Sequence, residues 1–187
     1  RSQNPGGGWR YQPQADGGED ISCTMTVFHA LASARQAGIV VPNETISKVV
    51  KYLKNNHDPQ TGGFAYKDGR NVTFPCTAGG AYIAQLAGQR DTEMVNAALR
   101  HLKTLSPGII TGGHYYYYGH YYAIQANVQA GDKEYAEWYP QIRDALVSKQ
   151  SAQGAWGKGQ KQGISYETTM AIIILATPHR YIPIYQR

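Results

Sequence analysis

A glycine–glycine–aromatic element recurs along this chain and constrains its fold more than any other feature. It reads Gly7-Gly8-Trp9, Gly62-Gly63-Phe64, Gly112-Gly113-His114-Tyr115 and Gly154-Ala155-Trp156, at intervals of 55, 50 and 42 residues. Self-similarity at such a period marks an array of supersecondary units, none of which can bury its apolar face alone. After each element and a polar loop comes a run of small and apolar residues: 22–34, 75–87, 119–130 and 166–176. Each run is long enough for three helical turns and is apolar nearly all round, as in a helix covered on both sides. Three of them end at a glycine (Gly38, Gly88, Gly131), which suits a left-handed C-terminal cap.

The intervening segments are one-sided. Ile46, Val49, Val50 and Leu53 recur at helical spacing with lysines opposite, behind a Pro42-Asn43 start signal. Val95, Ala98, Leu102 and Leu105 repeat the pattern behind Asp91, and 133–149 does so more loosely, interrupted by Pro140. Each unit is therefore a buried helix, a half-exposed helix and a glycine-aromatic turn. The expected fold class is all-α, with inner and outer layers of helices. Period-2 alternation is nearly absent, and Tyr115–Tyr118 is the one tract that tempts a strand assignment.

A chain of 187 residues fits one domain, 1–187, with a real core, and its 42% hydrophobic content excludes wholesale disorder. The net charge of +5 is spread out, so no basic stripe marks a nucleic-acid interface. No apolar run reaches the roughly 20 residues of a membrane span.

Two turns carry a further signature. Gln3-Asn-Pro-Gly-Gly7-Gly-Trp9 and Gln150-Ser-Ala-Gln-Gly154-Ala-Trp156 both fit Gln-x3-Gly-x-Trp, with Gly62 and Phe64 in a degraded copy. This resembles the QW motif of squalene and oxidosqualene cyclases, in which Gln and Trp tie an outer helix end to the next turn. The chain is similar over nearly its whole length to the α/α-toroid superfamily of terpenoid cyclases and protein prenyltransferases. The likeness is greatest to bacterial prenyltransferase and squalene-oxidase repeat proteins, which mostly lack an assigned activity. The resemblance implies about four helical hairpins in a partial or open ring. Four is fewer than the six or so that close such a ring. With Arg1 rather than Met at the start, the chain is expected to be the C-terminal part of a longer protein, with an extracytoplasmic location as the working assumption.

In toroids the N-terminal ends of the inner helices face the central cavity. Aligning the four apolar runs puts Cys23, Cys76, His120 and Glu167 at equivalent rim positions. The cysteines and His120 could bind zinc, as prenyltransferases use Asp, Cys and His, although their Asp-x-Cys spacing is missing because Asp20 lies three before Cys23. A Cys23–Cys76 disulfide must bridge helices packed roughly 8–10 Å apart. Simple packing is the commonest fate of a small buried thiol. All three readings stay open from sequence.

Cyclisation needs a strong acid, and the residues before the two Cys-Thr pairs are Ser22 and Pro75, neither of which can serve. Glu167 and His120 remain as catalytic candidates, and Glu167 at a helix start would be held ionised, hence a poor acid. Tyr115, Tyr116, Tyr118, Tyr121, Tyr122 and Tyr166 form the outstanding aromatic set, suited to gripping a ligand or to packing. His29 and His101 fall inside helices and read as structural. The functional expectation is a non-catalytic binding or structural module for a protein or glycan partner, or for self-association. The alternative is an isoprenoid-handling enzyme or lipid binder.

Overall fold

The structure is a computed structural model that describes residues 2–15, 17–67, 69–105, 115–157 and 163–179, the side chain of Arg70 excepted. The described residues are mostly helical: α1 (Ile21–Gln36), α2 (Asn43–Asn56), α3 (Phe74–Leu86), α4 (Glu93–Thr104), α5 (Tyr116–Ala130), α6 (Asp132–Lys149) and α7 (Ile164–Ala176). A 3-10 turn at Thr177–His179 follows α7. Between α2 and α3 sits a two-stranded antiparallel hairpin, β1 (Ala65–Lys67) and β2 (Arg70–Val72). This strand pair departs from the all-helical expectation. Three-residue strands are too short to register as alternation, and the Asp68-Gly69 dipeptide in the sequence is the only local sign.

The packing order explains the two kinds of helix. α1, α3, α5 and α7 form one row in which each touches the next, while α2, α4 and α6 each lie against two consecutive members of that row. α3 and α5 have neighbours on both sides and are buried nearly all round. α2 and α4 bury one stripe, Val49, Tyr52 and Leu53 in the first and Val95, Ala98, Leu99 and Leu102 in the second. Three hairpins and a seventh helix are thus described, without a fourth outer helix among the described residues. α6 runs through Pro140 instead of breaking there.

Helix ends follow their sequence signals. At the end of α1, Gly38 takes φ 82° while its N–H donates to the Arg35 carbonyl (3.1 Å) and that of Ile39 to the Ala34 carbonyl (2.9 Å). Gly88 and Gln89 repeat this paired closure after α3, bonding Gln85 and Ala84. Close approach inside the row also depends on glycine. A Cβ on Gly79 of α3 would collide with the Met25 sulfur of α1, and one on Gly119 of α5 with the Phe74 ring.

The described corners share one construction. Asn4 N–H donates to the Gly8 carbonyl (3.0 Å) and Gly7 N–H returns to the Asn4 carbonyl (2.9 Å). Ser151, Ala155 and Gly154 repeat both bonds, and Asp58, Gly63 and Gly62 repeat them around one extra residue. The glutamines brace the corners, Gln3 Nε2 donating to the Gly7 carbonyl (2.8 Å) and Gln150 Nε2 to the Gly154 carbonyl (3.0 Å). His57 takes the glutamine's place in the second corner, where it bonds the Gly62 backbone. The Trp156 indole N–H donates to the Leu146 carbonyl in the last turn of α6 (2.7 Å). The aromatic backbone N–H of each corner then reaches a threonine hydroxyl on the following inner helix: Trp9 to Thr24, Phe64 to Thr77 and Trp156 to Thr168, each at 3.0 Å. The Gly112-Gly113-His114 corner lies outside the described residues. Among those described, no helix is long and apolar enough to cross a membrane.

Candidate functional site

The row of inner helices gathers its N-terminal ends around a cavity of about 770 Å³. α1 contributes Cys23, Met25, Thr26 and Val27, and α3 contributes Pro75 and Cys76. Tyr118 of α5, Tyr166 of α7 and Tyr115 just before α5 complete the helical wall. The mouth is framed by the two stretches that join a corner to the next inner helix: Arg10 and Tyr11 from the first, and Tyr66 and Asn71 from the β-hairpin.

The wall is electrically quiet. Asp20, fully buried, is the N-cap of α1: it accepts from the Cys23 backbone N–H (2.8 Å), from the Ser22 hydroxyl (2.6 Å) and from Arg10 Nη1 (3.4 Å). Thr73 caps α3 in the same way by accepting from the Cys76 N–H (3.3 Å). Burial, with the Asp20 carboxylate adding to it, pushes the Cys23 thiol up to about 11, and burial alone accounts for most of the same rise at Cys76. Both cysteines are free, and at neutral pH both stay protonated. Burial also raises Tyr66, Tyr118 and Tyr166, while Tyr11 is raised first by the neighbouring Cys23 and then by Asp20. The cavity therefore presents neutral rings, hydroxyls and thiols, with one arginine already paired to a carboxylate.

The structure gathers only part of the residue set expected at the rim. Cys23 and Cys76 share the cavity, but His120 is fully buried elsewhere, its ring 4.8 Å from Phe74, 4.5 Å from Tyr116 and 6.1 Å from Trp138. Glu167, also buried, packs against Gly157. Tyr118 and Tyr166 line the wall in their stead. The reason is helical rotation: at about 100° per residue, the two positions between Tyr118 and His120 reach opposite sides of α5. α5 also starts three residues earlier than the apolar run suggested, so aligning the runs by composition shifted the register. Cys23, Cys76 and His120 thus do not converge, and among the described residues no group of three or more His, Cys, Asp and Glu is placed to hold a metal ion.

The tyrosines divide likewise. Tyr115, Tyr118 and Tyr166 reach the cavity. Tyr116 is buried under the Lys149 ammonium, which lies 4.0 Å from its ring centre, and its hydroxyl is pushed up to about 12 by burial. Tyr121 and Tyr122 pack on each other, with His29 beside the first and Tyr82 beside the second. Arg10, Tyr11, Tyr66 and Asn71 carry no periodic signal and are found only from the structure. At the three described corners a threonine lies 12 to 15 residues after the aromatic, a spacing visible in the sequence, whereas none falls there after Tyr115.

No protein-family model matches this chain, and no curated protein matches it.

Proposed function

We propose that this chain is a non-catalytic binding module of the α/α-toroid type, an open arc of helical hairpins. Its partner, a protein or a glycan, would contact the cavity at the N-terminal ends of the inner helices. The observation that carries this reading is a sizeable cavity, walled by tyrosine, without an available acid or base among its described lining residues. Asp20 is spent on a helix cap and on Arg10, and the two thiols are protonated at neutral pH. Nucleophilic chemistry needs a thiolate, and protonation of an alkene needs an exposed strong acid. Placement supports the same reading, because per-repeat insertions in repeat proteins map to one face, often the binding face, and the two stretches that join a corner to the next inner helix frame this mouth.

A second reading, an isoprenoid-handling enzyme or lipid binder, is favoured by the apolar side chains of Met25, Val27 and Pro75 among the rings. Native mass spectrometry with elemental analysis, followed by incubation with farnesyl diphosphate and with squalene, separates the two. The module reading expects zinc-free protein, no retained lipid and no turnover. Retained isoprenoid or any cyclised or transferred product overturns it in favour of the second.

A further inference from the structure

We infer that the ligand of the tyrosine-walled cavity is a neutral carbohydrate chain. This rests on the reading of the cavity as a binding site and adds the class of molecule it takes.

Charge sets the first limit. Among the described lining residues Arg10 is the only charged side chain, and Asp20 neutralises it at 3.4 Å. A diphosphate would meet one guanidinium that is already paired, and a cationic ligand would find no free carboxylate among the described lining residues, with ring faces alone to offset its desolvation.

The polar atoms of the wall set the second limit. Ser22, Thr26, Thr73 and Asn71 bring hydroxyls and an amide to a cavity otherwise built of rings and apolar carbon. Ser22 and Thr26 already donate to Asp20 and to the Ser22 carbonyl, and Thr73 accepts from the Cys76 N–H, so each keeps only part of its hydrogen-bonding capacity. A pure hydrocarbon filling this space would leave that part unused and strip water from the Asn71 amide, at about 1–3 kcal/mol if it is left unmatched. A sugar ring has the complementary makeup, a C–H face that lies on an aromatic ring and a rim of hydroxyls that both donate and accept. Tyrosine matches it, with a flat apolar ring and a polar edge.

Two local features bring these groups to the mouth. Tyr11 and Tyr115 are 73% and 56% exposed, so large rings stand in solvent at the opening instead of packing into the core. Asn71, at φ 59°, is the one non-glycine residue with a left-handed backbone among those described. Asn tolerates this conformation better than most residues. It places in the cavity wall an amide that can accept from one sugar hydroxyl while donating to the next. A volume of about 770 Å³ has room for a short run of sugar rings.

Calorimetric titration of the chain with cellohexaose, xylohexaose, maltohexaose and chitohexaose tests the inference. The rate of maleimide labelling at half-buried Cys23 serves as an independent report of cavity occupancy. At least one neutral hexaose should bind saturably and slow the labelling. Tyr11→Ala and Tyr115→Ala, both at exposed positions and checked for an unchanged melting temperature, should each weaken that binding about 10-fold or more. Tyr135→Ala, on α6 away from the cavity, should leave it unchanged. Failure of every hexaose at millimolar concentration overturns the carbohydrate inference. If farnesol then slows Cys23 labelling, the cavity remains a binding site with a different ligand. If neither farnesol nor a hexaose does so, the carbohydrate inference falls alone and the module is left with a protein as its partner, so the two failures are told apart.

Discussion

Lowering the pH puts a specific load on His120. The ring is fully buried among Phe74, Tyr116 and Trp138, and neither of its nitrogens has a hydrogen-bond partner among the described residues. Burial, with a smaller contribution from the nearby Lys149 ammonium, lowers its pKa from 6.5 to about 3. The unfolded chain therefore takes up this proton before the folded one. The stability tied to the neutral ring is fully present above about pH 6.5 and is lost as the pH falls from there toward about 3. At about pH 5 the loss is ~2 kcal/mol, rising to ~5 kcal/mol once the pH falls well below 3. Against a typical stability of about 5–15 kcal/mol, the first figure is easily measured. His29 and His57 are also lowered by burial and add to the slope in the same sense, so the test is a difference. Urea titrations of wild type and His120→Leu near pH 7.5 and pH 5 should show wild type losing ~2 kcal/mol more than the variant. Leucine matches the ring in size and removes the titrating group. Parallel losses in the two proteins would refute the argument.

Other perturbations follow from the same contacts. Gly119→Ala, which drives a methyl into Phe74, should lower stability by about 1–3 kcal/mol in thermal unfolding. Thr77→Val removes the acceptor for the buried Phe64 N–H, and a loss of about 1–3 kcal/mol in denaturant titrations is expected, with Thr24→Val behaving alike toward Trp9. Asp20→Ala strips the cap of α1 and should lose about 0.5–2 kcal/mol by the same assay. Both thiols should alkylate slowly near neutral pH, with rates that climb toward about pH 11.

How much of this was legible in the sequence depends on the range of the signal. The helices are legible nearly in full, because the Val49–Leu53 and Val95–Leu102 stripes repeat at helical spacing and because Gly38 and Gly88 close helices through local backbone geometry. Orientation about the helix axis was harder. α5 and α7 are apolar on almost every side, so composition cannot say which residue faces inward, and a shift of one or two positions moved the expected rim from Tyr118 and Tyr166 to His120 and Glu167. The mouth was not legible. Arg10, Tyr11, Tyr66 and Asn71 lie in irregular or very short segments, and only the folding of distant parts of the chain brings them together.

The threonine clamps have an evolutionary consequence. The aromatic of each of the three described corners is pinned by its backbone to a threonine 15, 13 or 12 residues further on, so the stretch between them is anchored at both ends whatever its content. Lengthening an anchored stretch is thermodynamically mild, about 0.6 kcal/mol for each doubling. The scaffold can therefore exchange or extend the segments over its mouth while the helical frame stays in place, which lets one architecture acquire new specificities by insertion rather than by redesign.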